Sequence, residues 1–406
     1  MYPAHSAQEK CLLQKLLKLQ PGVRLTFPLA GDIEGECKVN RLLQWYEEGS
    51  SLELRGKEFL TSHSELHGKG GIRMKRTILI AFCLIVSASF MIIRPTLAEV
   101  TKLKLATVVV PHHAYNEGAK EFARRVKEAT KGVIDIRVYP GGQLGKGERE
   151  LLEGMQIGTI DLAVTATGPV SGFSQSMMVL DLPFLFRDYH HVDAVLDGPV
   201  GRKLLDDLET ARLKGLSFFE NGFRNFTNSA RPLLKPEDFR GLKLRTMENP
   251  VHLASVRELG AQAVPMSWGE VYTSLQTKVI DGQENPVAVI HSHKLNEVQK
   301  YLSLTGHFYS PAPLTMSLHR FKSVKPEWQK LFIETAMEVA AYERKIIRDN
   351  EQKQIRDLKA WGMDVRIVDK SIFFTAMKPV YVKFIKQYPE WELIIQRIRE
   401  TKREVR

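Results

Sequence analysis

From Leu103 onward the chain repeats one pattern: a short apolar run, then a stretch of helical periodicity. Leu103–Val110 is β-branched and apolar and is closed by Pro111, which predicts a buried strand. Tyr115–Thr130 carries Ala119, Phe122, Ala123 and Val126 at helical spacing and stops near Gly132. Val133–Tyr139 alternates as a strand, and Pro140-Gly141-Gly142 makes a turn. Glu148–Ile157 reads as a helix and Ile160–Thr165 as a third strand. Alternation of this kind constrains the fold to α/β with a largely parallel sheet.

A second series follows. Lys214–Glu220 and Phe223–Asn228 read as strands, Pro236–Gly241 as a helical turn, and Lys243–Thr246 as a strand. Val251–Leu259 is a helix, Ala263–Val264 a short strand, Trp268–Gln276 a helix and Val279–Ile280 a strand. Tyr301–Leu304 and Leu314–Ser317 are apolar segments that would return the chain toward the first series. Lys325–Trp361 is a long amphipathic run without internal Pro or Gly, suited to a spine helix. Asp364–Val368 reads as an edge strand, and Ile372–Ile398 as helical with a break near Pro389. The expectation is two α/β domains around a hinged cleft. Residues 99–221 with about 310–350 form domain I, and 222–309 with about 351–406 form domain II. Helix N-termini and strand ends lining such a cleft favour anions.

The N-terminal part reads differently. Met74-Lys75-Arg76 precedes the uncharged run Thr77–Ile93, and Thr96-Leu97-Ala98 ends in small residues suited to cleavage. Residues 74–98 therefore read as a secretory signal peptide, although the run exceeds the usual apolar core of about 7–15 residues. A cut after Ala88 and an uncleaved anchor are the alternatives. Such a signal belongs at a true N-terminus, so translation is expected to start at Met74, with 1–73 an untranslated upstream extension. The competing reading is a cytoplasmic extension with a signal anchor. Cys11, Cys37 and Cys83 are the only cysteines, so the exported part would be free of disulfides and thiol nucleophiles.

The formal net charge of +11 is compatible with nucleic acid, an anionic surface or an anionic ligand. No basic tract is interleaved with aromatics and no zinc-finger or RNA-binding motif occurs, so nucleic acid is not expected. Gly141–Gly147 is glycine-rich with Lys146, but lacks phosphate-loop spacing and reads as a turn. His112-His113, His190-His191 and His291-x-His293 lack carboxylates at zinc spacing, so no metal and no cofactor is implied. No serine lies in a nucleophile elbow.

Arg245 to Asn285 carries the functional signal. An arginine at a strand end, Trp268 and Asn285 supply a two-pronged cation, a flat apolar wall and a neutral amide donor, which is what a buried carboxylate requires. Taken alone, each residue reads better as a surface arginine, a core tryptophan or a helix-capping asparagine. Order and spacing, however, closely resemble the solute-binding proteins of TRAP (tripartite ATP-independent periplasmic) transporters. The resemblance runs from Leu103 almost to the C-terminus and is densest over Leu242–Arg245, Leu259-Gly260-Ala261, Pro265–Tyr272 and Asp281–Pro286. Gln143-Leu144-Gly145, Gly158–Asp161, Leu182–Phe186 and Gly222–Thr227 add to it.

The resemblance implies a two-domain periplasmic (Venus-flytrap) binding fold without catalysis. Arg245 would clamp the ligand carboxylate, Arg224 would reach the same ligand, Trp268 would form the aromatic wall and Asn285 the amide. In domain I, His113, Tyr115, Thr167 and Gly168 would face the cleft. No cation lies among them, which favours a monocarboxylate with hydroxyl, keto or aromatic character over a C4-dicarboxylate, unless Arg224 serves a second acid. Further implied are membrane subunits as partners, ion-gradient-driven uptake and a periplasmic location; a monomer is expected. Two other classes could use such a cleft: a signalling sensor, or an enzyme with Glu270 or Glu284 as general base.

Overall fold

The computed structural model describes residues 100–402; the expected signal peptide, the expected upstream extension and all three cysteines lie outside them. Two long antiparallel strands, β4 (Leu213–Asn228) and β8 (Tyr301–Ser317), organise everything else. Their partners attach at opposite ends. The Leu314–Met316 end of β8 pairs with β3 (Leu162–Val164). There, β1 (Thr101–Ala106) and β2 (Ile134–Tyr139) continue the sheet in parallel. The Arg224–Asn228 end of β4 pairs with β7 (Gly282–Pro286), followed in parallel by β5 (Lys243–Thr246) and β6 (Gln262–Pro265). β9 (Asp364–Ile367) adds to the Tyr301–Leu304 end of β8. The order is β2-β1-β3-β8-β4-β7-β5-β6, so one sheet runs through two α/β lobes.

Helices cover the lobes. In the first lobe, α1 (Ala114–Ala129) buries Ala119, Phe122, Ala123 and Val126, the expected apolar stripe. Here too lie α2 (Glu148–Ile157), α3 (Tyr189–Leu196) and α4 (Pro199–Asp207). In the second lobe α5 (Pro250–Glu258), α6 (Trp268–Gln276) and α7 (Val287–Ser292) flank β5–β7. The spine α8 (Pro326–Ala360) has 35 residues, about 52 Å at 1.5 Å per residue. It packs on α1, β4, α7 and β9, and so touches both lobes. Two helices close the described chain. Of these, α9 (Lys370–Gln387) packs on α5 and α10 (Trp391–Glu400) on α4. No described helix is long and apolar enough to cross a membrane.

The spine is fixed to the β4–β8 ribbon by charge. The Arg344 guanidinium is almost fully buried, donates to the Phe218 carbonyl at 2.8 Å and pairs with Asp193 of α3 and Asp197, which caps it, at 3.0 and 2.8 Å. One turn on, Arg348 bridges Asp193 and Glu220 at 2.7 and 2.6 Å. These contacts sit beside a register shift between Glu220 and Gly222, where the ribbon passes from one lobe to the other. Gly222 has φ +114°, and a Cβ there would lie 3.3 Å from the Pro286 Cβ.

Three expectations need correction. Lys214–Glu220 and Phe223–Asn228 are one strand, as are Tyr301–Leu304 and Leu314–Ser317, because shifts in register absorb the breaks without ending the pairing. Val279–Ile280 is not a strand: Lys278 takes a left-handed turn, Val279 is 58% exposed, and pairing begins at Gly282. α3 and α4 had no counterpart in the sequence reading.

Gly222→Ala is expected to destabilise the protein by about 1–3 kcal/mol, because a side chain is forced into a glycine conformation at a crowded crossing. Urea unfolding measures this, and an unchanged midpoint would contradict it.

Candidate ligand site

Arg245 leaves β5 from the side opposite core residue Leu244 and is 3% exposed. Its Nε and Nη2 both donate to the Met266 carbonyl, at 2.9 and 2.7 Å. Met266 follows β6, so the parallel β5–β6 pairing sets the direction of the fork. No described carboxylate forms a salt bridge with Arg245, and its Nη1 has no hydrogen-bond partner among the described residues. Burial pulls the guanidinium down to about 10, against nearby carboxylates that raise it. The Trp268 ring begins α6, and the guanidinium carbon stands 5.7 Å from its centroid. The His293 ring meets Trp268 edge-on at 4.8 Å.

These residues line a small cavity. From the second lobe come Arg245, Met247, Trp268, Asn285 and Val289; the first contributes Val108, Val109, Tyr115, Glu148 and Ala166. Asn221 enters from the ribbon crossing. Asn285 is held in β7 opposite Asn225 and donates to Gln283 Oε1 at 2.5 Å. The lobes touch around this space. The Val110 N–H donates to His293 Nε2 at 3.3 Å, and His293 is kept neutral, near 4, mainly by burial. Gly147 packs against Ser267, whose hydroxyl would have to move to admit a side chain there.

A larger groove is lined by Ser171, Ser174, Asp207, Glu248 and Tyr388 among others. It contains no cation, and its two acids would repel an anion, so size alone misplaces the site.

Of the eight residues singled out in the sequence, Arg245, Trp268, Asn285 and Tyr115 share the cavity wall, and the other four do not. Arg224, expected to reach the same ligand, is fully buried against Glu284. Its Nη2 donates to Glu284 Oε1 at 2.8 Å and to the Glu284 carbonyl at 2.7 Å, and Nε pairs with Oε2, leaving Nη1 without a partner. Thr167 donates to Asp181 at 2.8 Å. The Gly168 carbonyl accepts from Asn249, and Met247 fills the space where a Gly168 side chain would go. His113 caps α1, accepting from the Tyr115 N–H at 3.2 Å and packing edge-on against its ring. It supports Tyr115 from behind.

Glu284 serves this internal framework. Burial alone would push its carboxyl up, but Arg224, with the His252 and His307 rings 3.7 and 3.6 Å away, holds it well below the ordinary range. A carboxylate so firmly ionised is a poor general base. Glu270, the other candidate, is exposed on α6 and does not line the cavity.

Two polar lining residues escaped the sequence reading. Glu148 is the first residue of α2, and its Oε1 accepts from the Ala166 N–H at 2.7 Å. Part of its side chain stays accessible, yet burial of the carboxyl dominates and pushes it up to about 7, against the Ala166 bond, Arg245 and Arg224. Asn221 is 5% exposed with its Oδ1 unpaired. The only sequence signal was an amide ahead of Gly222 within a long apolar strand.

A cavity shared by two lobes, with one buried cation facing it, defines a solute-binding protein for small anions. The bacterial extracellular solute-binding protein family 7 matches residues 105–387, and the chain belongs to that family, the solute-binding proteins of TRAP transporters. A TRAP periplasmic solute-binding protein from Polaromonas sp. JS666, solved bound to D-erythronate, is 41% identical and superposes with a TM-score of 0.73, over 75% of this chain and all of that one (100%). The 2,3-diketo-L-gulonate-binding periplasmic protein of Escherichia coli strain K12 is 38% identical over 284 residues, 70% of this chain and 86% of that protein. The C4-dicarboxylate-binding periplasmic protein of Rhodobacter capsulatus is 35% identical over 272 residues, 66% and 80%.

Glu284→Gln leaves Arg224 buried without a counter-charge and is expected to cost about 3–5 kcal/mol at neutral pH. Because the Glu284 carboxyl sits below its usual 4.5, its contribution is complete above that pH and fades as pH falls through the depressed value. Denaturation of both proteins between pH 7 and pH 3 should show the gap narrowing in acid; a constant gap would refute the assignment.

Proposed function

We propose that this chain captures a small organic acid between its lobes and delivers it to the membrane subunits of a TRAP transporter, for uptake driven by an ion gradient. The observation that carries the reading is Arg245: buried, aimed by the Met266 carbonyl, unpaired with any described carboxylate, and facing a cavity walled by both lobes. A planar fork of this kind matches a carboxylate in a way lysine cannot. Trp268 keeps water from one side and Asn285 offers an uncharged donor. Arg224 acts at a distance, fixing β7 and hence Asn285 through Glu284. In this reading the lobes divide as 99–221 with about 310–350 and 222–309 with about 351–406.

Closure is coupled to binding because the cation and much of the opposing wall come from different lobes; a ligand that touches both stabilises only the closed form. The relatives bind acids, as their names state, and the family works in the periplasm, so export through the signal beginning at Met74 fits this role. Catalysis is not part of the proposal: Glu284 is tied to Arg224, and Glu270 lies away from the cavity.

The test is calorimetry of the purified protein against small carboxylates, with Arg245→Ala and Arg245→Lys beside it. Truncation to alanine should weaken binding by about 2–5 kcal/mol, and lysine should not restore it. Ligand recovered from the complex should be chemically unchanged by NMR. Near-normal affinity in Arg245→Ala would remove the clamp, and a converted ligand would reopen an enzymatic role.

A further inference from the structure

The proposed function leaves half of the cavity unexplained. Two buried polar atoms line it without a partner on the protein. Tyr115 Oη and Asn221 Oδ1 belong to side chains 2% and 5% exposed, and neither has a hydrogen-bond partner. Beside them stands the half-buried Glu148, whose Oε1 is taken by the Ala166 N–H and whose Oε2 makes no hydrogen bond among the described residues. Buried polar groups in folded proteins are normally satisfied, so orphans at a binding cavity describe what the ligand must bring. Asn221 Oδ1 and an ionised Glu148 can only accept, and a phenol can accept or donate. The wall away from Arg245 therefore calls for O–H donors. A second carboxylate has none to give, and it would lie beside Glu148 with like charge.

Resting on the carboxylate clamp, we propose that Glu148, Asn221 and Tyr115 form a hydroxyl-reading wall, and that Glu148 determines specificity by selecting a polyhydroxy monocarboxylate over a dicarboxylate. One end of the ligand pairs with Arg245, and hydroxyls along its chain donate to Glu148 and Asn221. The apolar remainder of the cavity, Val108, Val109 and Val289, packs the carbon skeleton.

The same residue gives the selectivity a pH dependence. The charged and titratable groups facing Glu148 are Arg245 from β5, Arg224 from β4 and Tyr115 from α1; Lys146, Arg149 and Glu150 flank it on its own segment. Burial holds its carboxyl near 7. A hydroxyl donor favours the ionised form, so affinity for a polyhydroxy acid rises between pH 6 and pH 8. A dicarboxylate favours the neutral form, and its affinity moves the opposite way.

Calorimetry of the whole protein with erythronate and gluconate on one side, succinate and glutarate on the other, tests this. Erythronate and succinate have carbon chains of equal length, so the comparison isolates the functional groups. The wild type should bind at least one hydroxy acid, at least tenfold more tightly than either dicarboxylate at pH 8. Glu148→Gln keeps the shape and removes the charge; it should lose roughly ten- to a hundred-fold for the hydroxy acid, tighten on succinate and show no slope from pH 6 to pH 8. Tyr115→Phe should weaken the hydroxy acid with the slope intact. An unchanged melting temperature in both variants separates recognition from folding. The proposal fails if no hydroxy acid binds, if the dicarboxylates bind as well, or if Glu148→Gln keeps the wild-type preference and slope. Succinate binding lost in Arg245→Ala would then leave the clamp standing, whereas acid binding that survives Arg245→Ala would overturn the clamp itself.

Discussion

The pairing of β4 with β8 is the constraint on which the molecule depends. Two strands of 16 and 17 residues run antiparallel through both lobes, so each lobe is built onto an end of one shared ribbon. A parallel α/β sheet carries its ligand sites at strand ends and helix N-termini. Joining two such sheets by a common ribbon sets their sites against each other, with the crossing at the base of the cleft. The register shift at Glu220–Gly222 places Asn221 in the cavity at that point, while Arg344 and Arg348 tie the spine α8 to the adjoining backbone and α3. Architecture and recognition thus share residues.

Two arginines show how local chemistry and topology divide the work. Arg224 and Arg245 carry the same planar fork, and nothing within a few residues of either tells which will meet a ligand. The β4–β7 register sets Arg224 opposite Pro286, next to Glu284, and that carboxylate takes the fork. β5 lies one strand further out, where the nearest acceptor for Arg245 is a carbonyl. A carbonyl orients the guanidinium without neutralising it. One cation is spent on structure, and the other keeps its charge for the cavity.

This difference marks where sequence reading runs out. Local pattern located α1, α2, β5, α6 and the spine closely, because their apolar stripes or flanking turns lie within the element itself. It missed β7, whose residues Gly282–Pro286 are all buried although mostly polar. Their burial is made tolerable by Thr227 for Gln283 and by Arg224 for Glu284, partners more than fifty residues away. Val279–Ile280 looked the better strand because apolarity is visible in a sequence and long-range hydrogen bonding is not. In the candidate site, Arg245, Trp268 and Asn285 are readable as chemistry whose order and spacing resemble the family, and Tyr115 through the resemblance alone. Glu148 was not, since an acid at the start of a helix is what the helix dipole alone would favour. Thr167, Gly168 and His113 follow the right strands, but Asp181, Asn249 and the cap of α1 claim them.

The arrangement also explains why closure should await a ligand. Bringing the lobes together buries the Arg245 guanidinium without a counter-ion, and burial disfavours its charge. It also removes Asn221 Oδ1 and Tyr115 Oη from water without partners and leaves Glu148 half-buried. Against this stand a few lobe-to-lobe contacts, such as Val110 to His293 and Asn249 to Asp181. A ligand carrying one carboxylate and several hydroxyls reverses each of these penalties at once. A ligand lacking either part leaves one lobe's polar groups buried and unpaired. Discrimination then comes less from added attraction than from the cost of closing on the wrong molecule, the route by which polar sites reach high selectivity.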